Sequence, residues 1–136
     1  MENKKSSKAQ PQALNIAIID DAGISRKSIE EILVQEGHNI VLSCDSAKSA
    51  LNSIGAVEID LYMIDVVMPE TSGIELAKLI SDQLSGAHII MMSSLNLEHV
   101  IIDSISSGAN DFLKKPFSKN DLLLSVGRIA SLKNNQ

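Results

Sequence analysis

The stretch "LYMIDVVMPETSG", residues 61–73, holds an apolar run that ends on a single acidic side chain, Asp65. Desolvating a carboxylate costs several kcal/mol unless something compensates it. The run is short, rich in Leu, Ile and Met, and lacks a polar alternation, as expected of a strand covered on both faces. It predicts a buried parallel strand that delivers one carboxylate to its carboxyl end, and the rest of the chain has to supply what neutralises it.

Outward from that strand the same grammar repeats. Strands are expected at 14–19, 39–44, 60–64, 87–92 and 111–114, with helix-period segments at 25–36, 46–54, 73–84, 97–107 and 119–132. The first helix places Ile29, Ile32 and Leu33 before the punctuating Gly37, and the second places Ala47, Ala50, Leu51 and Ile54 before Gly55. In the third, Ile74 and Ala77 turn inward, with Leu76, Ile80 and Leu84 as further candidates. The fourth presents Leu97, Val100, Ile101 and Ile105 on one side. Ser118 and Asp121 form a variant capping box at the start of the fifth, whose apolar set includes Leu122, Leu123, Val126 and Ile129. Strict alternation with short connections predicts an α/β, flavodoxin-like (βα)5 doubly wound sheet, five parallel strands in order 2-1-3-4-5 with helices on both faces.

Composition narrows the function. The 136 residues suit one domain, residues 14–132, between a flexible lead-in at 1–13 and a tail at 133–136. With 12 Lys and Arg against 17 Asp and Glu, the net charge of −5 argues against direct nucleic-acid binding, and no basic helical stripe suits a membrane surface. Cys44 is the one cysteine, and no segment reads as a signal peptide or a membrane span, so a cytoplasmic protein is expected.

Ligands of such sheets bind outside the carboxyl ends of the strands, at the switch point between strands 1 and 3. The predicted strands end there in Asp20 and Asp21, in Asp65, in Ser93 and Ser94, and in Lys114, Lys115 and Pro116. Taken singly, each is an ordinary turn former, cap or solvent-facing lysine. Together, three carboxylates at one edge raise one another's pKa unless a cation joins them, and an oxygen-only donor set favours Mg2+ over zinc.

In combination these residues resemble the receiver domains of two-component response regulators, the CheY-like family. The resemblance covers about 14–132 and rests on the acidic pair in "IIDD", on "DVVMPETSG" with Met68, Pro69 and Gly73, on the serine of "IIMMSS", and on "KPF". It implies that Asp65 accepts a phosphoryl group from a histidine kinase or a His-containing phosphotransfer protein. It also implies that Asp21, Asp65 and the backbone carbonyl of Val67 hold Mg2+, with Asp20 acting mainly through water. Lys115 faces the new phosphate, Ser93 is the switch hydroxyl, Phe112 is the aromatic that follows it inward, and the Lys115–Pro116 bond is cis. Val67 and Leu95 occupy positions that tune dephosphorylation in relatives. Both are apolar here, so slow self-dephosphorylation is expected.

The readout implied by the family is the fourth helix, fifth strand and fifth helix, roughly 95–130. Ile102 lies off the main stripe of the fourth helix, either as a contact for a homodimer or an unknown target, or as filler against the sheet. No catalysis is expected beyond the domain's own phosphorylation and dephosphorylation. Three rivals are weaker. A pseudo-receiver binding module would not need all five site residues. An FMN protein would not place "DDAGIS" at its phosphate turn. A haloacid-dehalogenase-type phosphatase needs a second Asp where Val67 stands. Whether the chain acts alone or is a receiver from a longer regulator or hybrid kinase stays open.

Overall fold

In the computed structural model, which describes residues 13–134 except Ser85 and Asn96, strand and helix alternate throughout. The elements are β1 (Asn15–Ile19), α1 (Gly23–Gln35), β2 (Asn39–Cys44), α2 (Ala47–Ser53), β3 (Leu61–Asp65), α3 (Gly73–Gln83), β4 (His88–Ser93), α4 (Glu98–Ser106), β5 (Asp111–Lys114) and α5 (Lys119–Asn134). The sheet runs β2-β1-β3-β4-β5 with every neighbouring pair parallel, the order expected from the alternation. Among the described residues no helix is long and apolar enough to cross a membrane.

Although the strands read as unbroken apolar runs, their side chains divide between two cores with period two. Ala17, Ile19, Tyr62, Ile64, Ile89 and Met91 pack against α2, α3 and α4. Ile16, Ile18, Leu61, Met63, Ile90 and Met92 pack against α1 and α5. Each fully buried Ile or Leu contributes about 1.5–3 kcal/mol, so β1 and β3 are pinned in depth and register by both layers. Their carboxyl ends therefore make a rigid platform.

Local signals account for several element ends. Gly37, at φ +98°, turns the chain out of α1, a conformation that suits glycine. Ser118 Oγ accepts from the Asp121 amide at 3.0 Å while Asp121 Oδ2 accepts from the Ser118 amide at 3.5 Å, which completes the expected box at α5. His38 is buried at the foot of the sheet, where its Nδ1 accepts from the Leu14 amide at 3.1 Å. Burial pushes its pKa down, which keeps the ring a neutral acceptor.

Three expectations change. On α4 the inward residues are Val100 and Ser104; Leu97 is the N-cap and 54% exposed, and Ile105 is 48% exposed. A serine serves as a core residue there because its hydroxyl donates to the Val100 carbonyl at 2.8 Å, leaving no polar atom unpaired. Leu51, assigned to the core face of α2, is 39% exposed. The last helix continues to Asn134, past the expected end at 132, and Lys133 in its final turn pairs with Asp60 at 2.9 Å. Ile102 is exposed rather than filling the boundary with the sheet. The expected lead-in lies outside the described residues apart from Ala13, as do residues 135 and 136 and Asn96 just before α4.

Candidate functional site

The carboxyl ends of β1 and β3 bring Asp20, Asp21 and Asp65 together, with one carboxylate oxygen from each lying within 4.8 Å of the others. Asp20 and Asp65 are buried and Asp21 is exposed. The short strand β5 leads into Lys115, whose Nζ stands 2.6 Å from Asp20 Oδ2 and 3.4 Å from Asp65 Oδ2. The Lys115–Pro116 peptide is cis, and the Lys115 amide donates to the Ser93 carbonyl at 2.8 Å. The backbone of Lys115 is thus tethered to the end of β4, while its ammonium reaches the acids.

The two buried carboxyls are held unequally. Burial works to raise Asp20, but the close Lys115 ammonium, the Ala22 amide at 2.9 Å and the Ser25 hydroxyl at 3.1 Å together bring its pKa below the ordinary value. Asp65 is pushed up to about 6, first by burial and then by the Asp20 charge, against which the more distant Lys115 and the Val67 amide are insufficient. One lysine serves two acids and favours the nearer. The pocket therefore carries more negative charge than the protein neutralises, and its donors are all oxygens. That is the chemistry a hard divalent cation such as Mg2+ satisfies, so these residues fit one.

Around the acids the remaining expected residues take distinct places. Ser93 is fully buried at the end of β4, and its Oγ accepts from the Leu95 amide at 2.9 Å. Phe112 on β5 is half-buried and packs against the α2–α3–α4 core. Val67 and Leu95, 51% and 43% exposed, lie in the loops after β3 and β4, so both present apolar surface to solvent at this edge.

Gly73 opens α3 directly against β3: its amide donates to the Val66 carbonyl at 2.8 Å, and no side chain would fit between it and Asp65. Two residues of α1 went unnoticed in the sequence. Ser25 contacts the Asp20 carboxylate, and Arg26 donates from Nη1 to the Asp20 carbonyl at 2.5 Å. Their only sequence signal is position in the first turn of a helix that begins just after the acidic pair.

A parallel α/β sheet takes its ligands at the switch point of its strand order, and here that point gathers three carboxylates and a lysine. A family model described as the response regulator receiver domain matches residues 16–127, and the chain belongs to that family. Within it the chain is CheY-like. It is 34% identical to the chemotaxis protein CheY of Bacillus subtilis, over 85% of this chain and 97% of that one. The CheY-like receiver domain protein of Methanospirillum hungatei shares the fold, with a TM-score of 0.84 at 23% identity over 91% of this chain and 98% of that one. The matching chain of a CheX–CheY–BeF3–Mg2+ complex from Borrelia burgdorferi gives a TM-score of 0.78 at 28% identity, covering 85% of this chain and 88% of that one. Receiver domains are regulatory switches of two-component signalling, and that is the class of this chain.

Proposed function

We propose that the chain is switched by phosphorylation of Asp65, with a histidine kinase or a His-containing phosphotransfer protein as donor. The observation that carries this is the convergence of Asp20, Asp21 and Asp65 on the single ammonium of Lys115. An Asp65 oxygen attacks phosphorus as the donor's P–N bond breaks, and a proton passes to the departing imidazole nitrogen. Asp21, Asp65 and the Val67 carbonyl are the proposed direct ligands of Mg2+, with Asp20 acting through water. Bound there, the cation offsets charge on the incoming phosphoryl oxygens. Lys115 pairs with the product phosphate, and Ser93 exchanges its contact with the Leu95 amide for a phosphate oxygen.

Phe112 then repacks, and the change is read on the face formed by α4, β5 and α5. Ile102, Ile105 and Leu124 are exposed there, apolar surface suited to a target protein or a second copy. The same reading makes the chain a cytoplasmic regulator with no turnover of an external substrate.

Incubation with a small phosphodonor such as acetyl phosphate, followed by intact mass, tests the central step. A single phosphate adduct that forms with Mg2+ and does not form in chelator is expected; no adduct under either condition would make the chain a pseudo-receiver that acts by binding alone. The adduct's lifetime tests the apolar mouth. Val67→Asn supplies an amide able to orient water at a position that now offers only hydrocarbon, and decay is expected to quicken severalfold. Equal lifetimes would remove Val67 from any tuning role.

A further inference from the structure

The three acids are not equally secured. Asp20 is gripped by Ala22, Ser25 and Lys115, and Asp65 by Val67 and Lys115. Asp21 is exposed, and among the described residues its carboxylate has no hydrogen-bond partner. The backbone from which it projects is set by the peptide that joins it to Asp20. That peptide is anchored on its carbonyl side, at Asp20 O, by Arg26 Nη1 at 2.5 Å, and the amide of the same residue donates to the Cys44 carbonyl at 3.0 Å. Arg26 is aimed in turn from outside the pocket: its Nε donates to Ser43 Oγ at 3.0 Å, and that hydroxyl donates to Glu30. A planar guanidinium can serve both partners at once in a fixed geometry.

The geometry points to Arg26 as a positioning residue that orients the Asp20–Asp21 peptide, and so the otherwise unsupported Asp21 carboxylate, for the divalent cation. This rests on the Mg2+-dependent reading above. It has a sign that separates it from simpler roles. As a mere positive charge near an acidic pocket, Arg26 would repel the cation, so its removal would tighten binding. As a mere brace between α1 and β2, its removal would lower stability and leave affinity unchanged.

Calorimetric titration of Mg2+ into the phosphate-free protein, with thermal unfolding recorded alongside, distinguishes the three. Arg26→Gln is expected to weaken Mg2+ about tenfold, the scale typical of groups that orient a metal ligand through a hydrogen bond. Ser43→Ala, which frees the guanidinium but leaves the charge and the pocket intact, is expected to weaken it less, in the same direction. Should Arg26→Gln not fold, Ser43→Ala decides by itself. An unchanged or tighter dissociation constant in the deciding variant overturns the proposal while wild-type binding leaves the metal reading standing. A wild type that binds no Mg2+ overturns both.

Discussion

Asp65→Asn should abolish the phosphate adduct and, in the absence of metal, give a protein more stable at pH 7 than the wild type. The first effect follows from chemistry, since an amide nitrogen or oxygen cannot replace the carboxylate nucleophile. The second follows from the folded pKa of about 6 against the usual 3.8. Below pH about 4 both folded and unfolded chains hold the Asp65 proton, so burial carries no charge penalty. Between about 4 and 6 the unfolded chain releases its proton more readily than the folded one, and above about 6 the penalty is fully present. Wild type should therefore lose stability relative to Asp65→Asn as pH rises through that window. We expect about 1–2 kcal/mol at pH 7, less than the full ~1.4 kcal/mol per pKa unit because the pocket opens to solvent and shares Lys115. Urea unfolding of both proteins at pH 4 and pH 7, in chelator, measures it. A variant less stable than wild type at pH 7 would show that the acidic cluster is not a burden on the fold. Added Mg2+ should reverse the order, because a ligand that binds only the folded state stabilises whichever protein binds it more tightly.

Gly73→Ala should be the most damaging single methyl in the site. A Cβ at Gly73 would overlap the Asp65 carbonyl oxygen, and would lie 2.8 Å from the Asp65 carbonyl carbon and 2.9 Å from Ile64 Cγ2. None of these atoms belongs to a flexible side-chain tip. Strand β3 is held between β1 and β4, Asp65 itself pairs with Met92 of β4, and the Gly73 amide is committed to Val66, so either β3 or the start of α3 has to move. Overpacking of this kind costs about 3 kcal/mol or more where backbone has to shift. A soluble, folded Gly73→Ala chain should also phosphorylate poorly, because the displaced carbonyl belongs to Asp65, the proposed phosphoacceptor. Wild-type stability in this variant would mean that α3 can slide without cost. Gly127 on α5 is the control, since a Cβ there meets nothing within 4 Å.

The alternation of apolar runs and helix-period segments was enough to reach the strand order, because right-handed crossovers leave few ways to bury both faces of a parallel sheet. It was also enough to collect Asp20, Asp21, Asp65, Ser93 and Lys115 at one edge, since residues at the carboxyl ends of parallel strands share that edge whatever the packing. Ser104 was passed over, and Leu51, Leu97 and Ile105 were misplaced, for a different reason. Periodicity ranks side chains by hydropathy, whereas burial on α4 and α2 was decided by a local hydroxyl-to-carbonyl bond and by which turn of the helix meets the sheet.

Which acid bears the raised pKa, and which residue aims the others, depended on distances that no spacing encodes. Burial raises both carboxyls, and Lys115, coming from the far end of the chain, stops nearer Asp20 than Asp65; with the Ala22 amide and Ser25 it brings Asp20 below its ordinary pKa while Asp65 stays well above. Arg26 and Ser25 take part only because α1 starts at Gly23 and turns that face back over Asp20. Sequence alone determined the fold and the set of polar groups at the sheet's edge, since hydrophobic pattern and chain direction are one-dimensional properties. Only the tertiary structure decided how charge is shared among them, because Coulomb and hydrogen-bond energies depend on separations that packing sets.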